Sequence, residues 1–250
     1  PIYNKSKTLY GFNITKNEII EKKYVIVVEG YMDLIQLYQA NIKNVVSVSG
    51  TSFTDQHASM IAKVCKTAYI AYDGDNAGIN SAIRAGYTLL KNNLEGKIIS
   101  IPEGMDPDDL IQNKGKEAFE QLISSAQSVI LFHYKSNISE ESTEREKIQF
   151  IKEVVPELIA INDDLITESL IKELSYLSGF SAQSIYAAIE KNKKPSINKV
   201  KYEEEPIINK KETEAISLID KEIIMFCFGK DLINRKIIKN HLKKEWIKSN

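Results

Sequence analysis

Between residues 24 and 101 short apolar runs alternate with amphipathic stretches. Tyr24-Val25-Ile26-Val27-Val28, Asn44-Val45-Val46-Ser47-Val48, Ala68-Tyr69-Ile70-Ala71-Tyr72 and Lys97-Ile98-Ile99-Ser100-Ile101 are four such runs, and each reads as a strand. The spacing predicts a helix from Tyr31 to about Ala40, with Leu34, Ile35, Leu37 and Tyr38 as its packing face. A second helix follows the capping box Ser52-Phe53-Thr54-Asp55 and runs to about Cys65, and a third spans Ala77 to Leu90. Strands alternating with helices of this length predict βαβ units, hence an α/β fold with a mainly parallel sheet flanked by helices.

Beyond residue 101 the period becomes helical. Lys116 to about Tyr134 reads as one long helix. Thr143-Glu144-Arg145-Glu146 is a further capping box, opening a helix through Ile161 that must bend near Pro156. Asp163 to Ser178 is another, closed by Gly179, and Ser181 caps a shorter one to Glu190. The expected organisation is a lead-in over 1–23 from a missing N-terminal subdomain, an α/β domain over 24–135, an all-α bundle over 136–190, and a solvated linker over 191–212. Residues 213–250 read as the start of a further helical domain. The lead-in, with Lys5, Lys7, Lys16, Lys22 and Lys23, reads as a loop or short strand. The chain opens on Pro1 inside what reads as an ordered segment, so it is expected to be a piece of a longer protein.

Composition narrows the classes. A 43% hydrophobic, 27% charged chain of 250 residues is globular, and a net charge of -1 leaves any basic groove local. Cys65 and Cys227 are far apart in apolar surroundings and fit buried thiols in a reducing cytoplasm. A zinc site needs about four ligands, so zinc is not expected. No apolar run approaches the ~18 residues of a membrane span, and no secretory signal is present. His57, His133 and His241 show no ligand spacing and read as structural.

The candidate chemistry lies where the strands stop. The first run enters Glu29-Gly30-Tyr31-Met32-Asp33, the third enters Asp73-Gly74-Asp75, and the fourth leads to Asp106-Pro107-Asp108-Asp109. Each acid alone has an ordinary duty. Glu29 can complement a helix dipole, Asp73-Gly74 is a common turn, and Asp106 can start a Pro-fixed helix. Gly30 permits a tight turn, and Gly74 relieves crowding between its two acidic neighbours. In an open parallel sheet, however, ligands bind outside the carboxyl ends of the strands. Glu29, Asp73, Asp75, Asp106 and Asp108 then crowd one edge, where they repel one another unless cations lie between them. Mg²⁺ suits oxygen ligands and often partners phosphate, so metal-assisted phosphoryl or nucleotidyl transfer is the expectation.

These three acidic strings resemble the motifs of the Toprim domain, in the form found in bacterial DnaG-type primases. Gly50-Thr51, Tyr72-Asp73-Gly74-Asp75 with Ala77-Gly78, Gly115-Lys116-Glu117-Ala118-Phe119 and the opening Pro1-Ile2-Tyr3-Asn4-Lys5 with Leu9-Tyr10-Gly11 strengthen that likeness. It covers about residues 1–135, and the helices to 190 fit the bundle that ends the primase polymerase core. The resemblance implies DNA-templated synthesis of short RNA primers from ribonucleoside triphosphates on single-stranded DNA during replication. It makes Glu29, Asp73 and Asp75 the chief metal acids for Mg²⁺ (or Mn²⁺). Asp33, Asp106 and Asp108 would complete the acidic surface. Lys5 matches a basic residue of the family's groove, and Lys7 is a second candidate for phosphate contact. The 213–250 segment would be the start of a part that binds the replicative helicase. In two-metal nucleotidyl transfer, one ion activates the attacking 3′-hydroxyl and the other stabilises the leaving pyrophosphate. A Toprim nuclease, a topoisomerase and a non-catalytic helicase-binding module are the rival readings; no tyrosine reads as a topoisomerase nucleophile.

Overall fold

The computed structural model describes residues 4–193. Five strands form one sheet: β1 (Tyr24–Val28), β2 (Val45–Ser47), β3 (Thr67–Ala71), β4 (Glu95–Ile98) and β5 (Gln127–Ser128), in the order β2-β1-β3-β4-β5. The first four run parallel, and β5 lies antiparallel on β4. The helices are α1 (Phe12–Lys22), α2 (Tyr31–Gln39), α3 (Asp55–Ile61), α4 (Asn76–Lys91), α5 (Pro107–Ser124), α6 (Val129–Asn137), α7 (Glu144–Ile159), α8 (Asp164–Ser178) and α9 (Ala182–Lys193). The fold is the α/β sheet flanked by helices, with a helical bundle following, that the alternation of periods predicts.

The two-residue period of a strand sorts its side chains to opposite faces. Val25 and Val27 of β1 and Ala68 and Ile70 of β3 enter one core, shared with Ala58 and Ile61 of α3, Ala82 and Ala85 of α4, and the bundle. Ile26, Val28 and Ala71 enter the other, against Leu34 and Leu37 of α2 and Leu110 and Phe119 of α5. Residues such as Ile26 and Ile70 are wholly enclosed, and each such side chain contributes roughly 1.5–3 kcal/mol of burial. From β1 the chain crosses to β2 on one side and then to β3 on the other. That reversal opens a crevice at the carboxyl ends of β1 and β3.

β4 spans Glu95–Ile98 rather than the run 97–101, and four further elements differ from expectation. Residues 12–22 form α1 rather than a loop or strand: Gly11 turns the chain at φ 81°, and Thr15 and Ile19, four apart, are buried on one helical face. Only Tyr10 bridges to β2, at Ser47. The cap of α3 is Thr54, whose hydroxyl accepts the His57 N–H, and the helix ends at Ile61 rather than Cys65. The second helix along from there, α5, starts at Pro107 on its Asp106 cap, well before Lys116, and breaks at Gly115, where φ is 80°. The single helix expected over 116–134 is two, because Ser125 ends α5, residues 127–128 pair with β4, and the Ser128 hydroxyl caps α6. The helices α7 and α8 start and stop largely as read. Thr143 and Glu146 form the capping box of α7, Pro156 lies inside that helix, Asp163 caps α8, and Gly179 closes it at φ 79°. Of the expected linker only 191–193 are described, and they continue α9. The expected helical start at 213–250 lies outside the described residues.

Candidate active site at the open ends of β1 and β3

Val28 pairs with Ala71, so Glu29 and Tyr72 are the next residues out of two neighbouring strands. By the strand period Glu29 follows Val27, and Tyr72 follows Ile70, toward the α4 side; Tyr72 is buried in that core. The backbone of Glu29 is held from the β2 side. Its carbonyl accepts from the Ser47 hydroxyl at 2.9 Å and from the Gly50 N–H at 3.2 Å. The third motif closes on the second through Gly74. Its N–H donates to the Met105 carbonyl at 2.9 Å, and a Cβ there would stand 2.1 Å from the Pro102 carbonyl oxygen. Close backbone approach across motifs, rather than crowding between Asp73 and Asp75, therefore requires this glycine.

The six candidate acids divide by what they already bind. Asp33 is buried, and both its oxygens are engaged: Oδ2 accepts the Gly30 N–H at 2.9 Å and Oδ1 the Asp108 N–H at 3.3 Å, tying the first motif to the third. Asp75 caps α4 by accepting the Gly78 N–H at 2.7 Å, and Asp106 caps α5 by accepting the Asp109 N–H at 2.6 Å. Asp108 accepts from the Gln112 amide at 2.6 Å. Glu29 and Asp73 have no hydrogen bond to their carboxylates among the described residues, and Glu29 Oε1 is enclosed without a partner.

The electrostatics follow. Burial pushes Glu29 up to about 7, helped by the charges of Asp73, Asp33 and Asp75, while Arg84 pulls the other way. Burial likewise lifts Asp33 to about 6 against its two backbone hydrogen bonds. Asp73 is raised by burial and by Asp106, Asp75 and Asp109. The acids thus lie within reach of one another's fields. Among the described residues, though, no three His, Cys, Asp or Glu side chains converge closely enough to hold a metal ion. The donor set itself, carboxylate oxygens with one enclosed and unpartnered, is of the kind that hard divalent cations take.

Lys5 reaches this end of the sheet, donating from Nζ to the Ser49 carbonyl at 3.1 Å; Lys7 is exposed, with no side-chain partner described. His57 is structural: Nδ1 accepts the Thr54 N–H at 3.3 Å, and Nε2 lies 2.9 Å from the Lys5 carbonyl. His133 packs beside Phe150 and shares a 3.0 Å hydrogen bond with the Tyr87 hydroxyl. Cys65 is buried, and desolvation pushes its thiol up to about 11. His241 and Cys227 lie outside the described residues. The sequence reading passed over Arg84 and gave Tyr72, part of its second motif string, no role in the site. Together with Glu29, the 50–53 turn, Ser81 and Thr88 they line a cleft of about 460 Å³.

A family model described as Toprim-like matches residues 26–111, the span holding all three motifs. A DNA primase of Clostridium acetobutylicum is 34% identical over 205 residues, which is 80% of this chain and 33% of that protein. The chain belongs to the DnaG-type primase family. It spans about a third of the length of the curated primases it matches. Among solved structures, a DNA primase domain from Pseudomonas aeruginosa superposes with a TM-score of 0.67 at 28% identity, covering 76% of this chain and 61% of that one. A DnaG primase catalytic domain bound to single-stranded DNA superposes at 0.61 with 29% identity, covering 70% and 58%. Among the described residues, no helix of this primase relative is long and apolar enough to cross a membrane.

Proposed function

We propose that this chain carries the DNA-templated synthesis of short RNA primers, a metal-dependent nucleotidyl transfer. The observation that carries the reading is that Glu29 and Asp73 follow β1 and β3 at the sheet's switch point with carboxylates that accept no hydrogen bond among the described residues, Glu29 Oε1 being enclosed. Glu29, Asp73 and Asp75 are the residues that would hold Mg²⁺ or Mn²⁺. Such an ion supplies Lewis acidity at phosphate oxygen and at the attacking hydroxyl. The protein's own part is position and charge. Asp33 locks the first motif to the third, Asp106 holds the start of α5, and Asp108 completes the acidic rim. Lys5 and Lys7 contribute positive charge for nucleic-acid or nucleotide phosphate beside the Ser49–Gly50 turn. In this reading residues 24–135 are the catalytic domain, and 136–190 are the bundle that backs it. Its partners are single-stranded DNA template, ribonucleoside triphosphates and the replicative helicase, in the cytoplasm. The relative with single-stranded DNA bound supports the template assignment.

The test is primer synthesis on single-stranded template with labelled ribonucleotides and Mg²⁺, comparing the protein with its Glu29→Gln variant. Short RNA from the first and none from the folded variant is the expected result. Cut template without RNA would identify a nuclease. Equal RNA from both would remove Glu29 from the chemistry.

A further inference from the structure

The cleft beside Glu29 has two unlike walls. One is the end of β1 with the 50–53 turn. The other is the face of α4 that carries Ser81, Arg84, Ala85 and Thr88 at helical spacing. Arg84 is one of three arginines in a chain with 33 Lys plus Arg, and the other two fall at 145 and 235. A protein that builds its positive surface almost wholly from lysine keeps a guanidinium here. That group presents a rigid planar fork matched to phosphate oxygens, which an ammonium does not. One Arg84 nitrogen donates to the Ser81 hydroxyl at 2.9 Å, and the side chain enters no ion pair among the described residues.

The floor adds a second, independent sign. Tyr72 is 4% exposed, lines the cleft, and its hydroxyl has no hydrogen-bond partner among the described residues. Buried polar groups are nearly always paired, so an orphan hydroxyl at the bottom of a polar cleft marks where an acceptor is received. Packing alone does not ask for it, since phenylalanine fills the same volume without leaving a donor unpaired.

We propose that this cleft is a polyphosphate subsite, in which Arg84 grips phosphate oxygens and the hydroxyls of Tyr72, Thr51, Ser52 and Ser81 complete the donor set. This rests on the nucleotidyl-transfer reading above and deepens it. In that reaction the 3′-oxygen bonds to the α-phosphorus and its proton passes to water. The bond from the α-phosphorus to the bridging oxygen breaks, and the electron pair leaves with pyrophosphate. The cleft receives the β- and γ-phosphates and then the pyrophosphate. Glu29 on the facing wall, with Asp73 and Asp75, would hold a divalent ion, which would supply charge compensation for those phosphates.

The test is calorimetric titration of the protein with inorganic pyrophosphate in Mg²⁺, with thermal midpoints confirming that each variant is folded. Arg84→Ala is expected to weaken binding by about 10- to 100-fold, the scale of losing charge-assisted hydrogen bonds. Arg84→Lys falls between, and Tyr72→Phe costs about three- to tenfold. Lys16→Ala, which removes one exposed positive charge on α1, changes nothing. ATP is expected to show the same dependence on Arg84, and adenosine none. Unchanged pyrophosphate affinity in Arg84→Ala overturns the proposal, and so does an equal loss in Lys16→Ala. Arg84-dependent binding of ATP without binding of pyrophosphate overturns it too, by moving recognition to the nucleoside. Wild-type primer synthesis with pyrophosphate binding indifferent to Arg84 removes the subsite alone. Arg84-dependent pyrophosphate binding without RNA synthesis removes the primase reading and keeps the subsite.

Discussion

Glu29→Gln should make the metal-free protein more stable at neutral pH. Burial and three neighbouring carboxylates hold Glu29 up at about 7 against an ordinary 4.5. That displacement corresponds to roughly 3 kcal/mol at about 1.4 kcal/mol per tenfold change in acidity. Glu29 is only half-buried, and screening by solvent at an open cleft reduces the figure to about 1–2 kcal/mol. The sign follows from proton binding. Between pH 4.5 and about 7 the folded state holds a proton that the unfolded state has released, so stability falls as pH rises through that window. Below 4.5 the penalty is absent, and above about 7 it is complete. Glutamine keeps the shape and never ionises. With a urea slope of about 2 kcal/mol/M, the variant's midpoint should lie about 0.5–1 M above wild type at pH 7.5, with the gap closing toward pH 4.5. Mg²⁺ should raise the wild-type midpoint at pH 7.5 and leave the variant nearly unmoved. A variant whose midpoint at pH 7.5 equals or falls below that of wild type would refute the reasoning, since Glu29 would then be paired or well solvated.

Asp73→Asn should shift stability in the same direction, retaining the fold while abolishing Mg²⁺-dependent primer synthesis; full synthesis by the folded variant would remove Asp73 from the chemistry. Asp33→Asn should act in the opposite sense, lowering stability by about 1 kcal/mol, because its amide must turn N–H groups against one of the donors that Asp33 now serves. A stabilised Asp33→Asn in urea titration would show that the tie between motifs carries no weight. Gly74→Ala should cost about 2 kcal/mol or more, since its Cβ would meet the Pro102 carbonyl at 2.1 Å; circular dichroism melts with wild-type midpoints would disprove that contact. Ser128→Ala should cost about 1 kcal/mol through the lost α6 cap, read by the same melts.

What the sequence disclosed, and what it hid, divides along the distance over which each fact is set. The end of β1 and the helix caps at Thr143 and Asp163 depend on a few adjacent residues, and they fall where the pattern puts them, whereas β4 stops at Ile98, three residues before the end of its apolar run. The two-residue strand β5 was invisible because Gln127 and Ser128 are strand only by pairing with Ile98 and Lys97, some thirty residues back. α1 was missed because only Thr15 and Ile19 are buried, so no apolar stripe announces it. Asp33 looked like one more acid of the rim, since its second bond reaches residue 108.

Arg84 was hidden for a topological reason. Its helix follows β3, and α4 lines a cleft with Glu29 only because β1 and β3 are neighbours in the sheet. Once that order is known, counting by twos does the rest. Val25, Val27 and Glu29 share a parity, as do Ala68, Ile70 and Tyr72, and both series face the α4 side. Asp73 has the opposite parity and lies in the field of Asp106 and Asp109 near the start of α5. The two acids thus have different neighbours, although the charge of Asp73 still reaches Glu29. One borders a cleft with a guanidinium and hydroxyls, the other an acidic rim. Such a division suits a reaction whose ends differ in charge: an anionic leaving group on the α4 side, the incoming strand on the other, and the divalent ions that Glu29 and Asp73 would hold between the two. The Asp73 and Arg84 variants should therefore fail differently, the first in metal binding and the second in pyrophosphate binding.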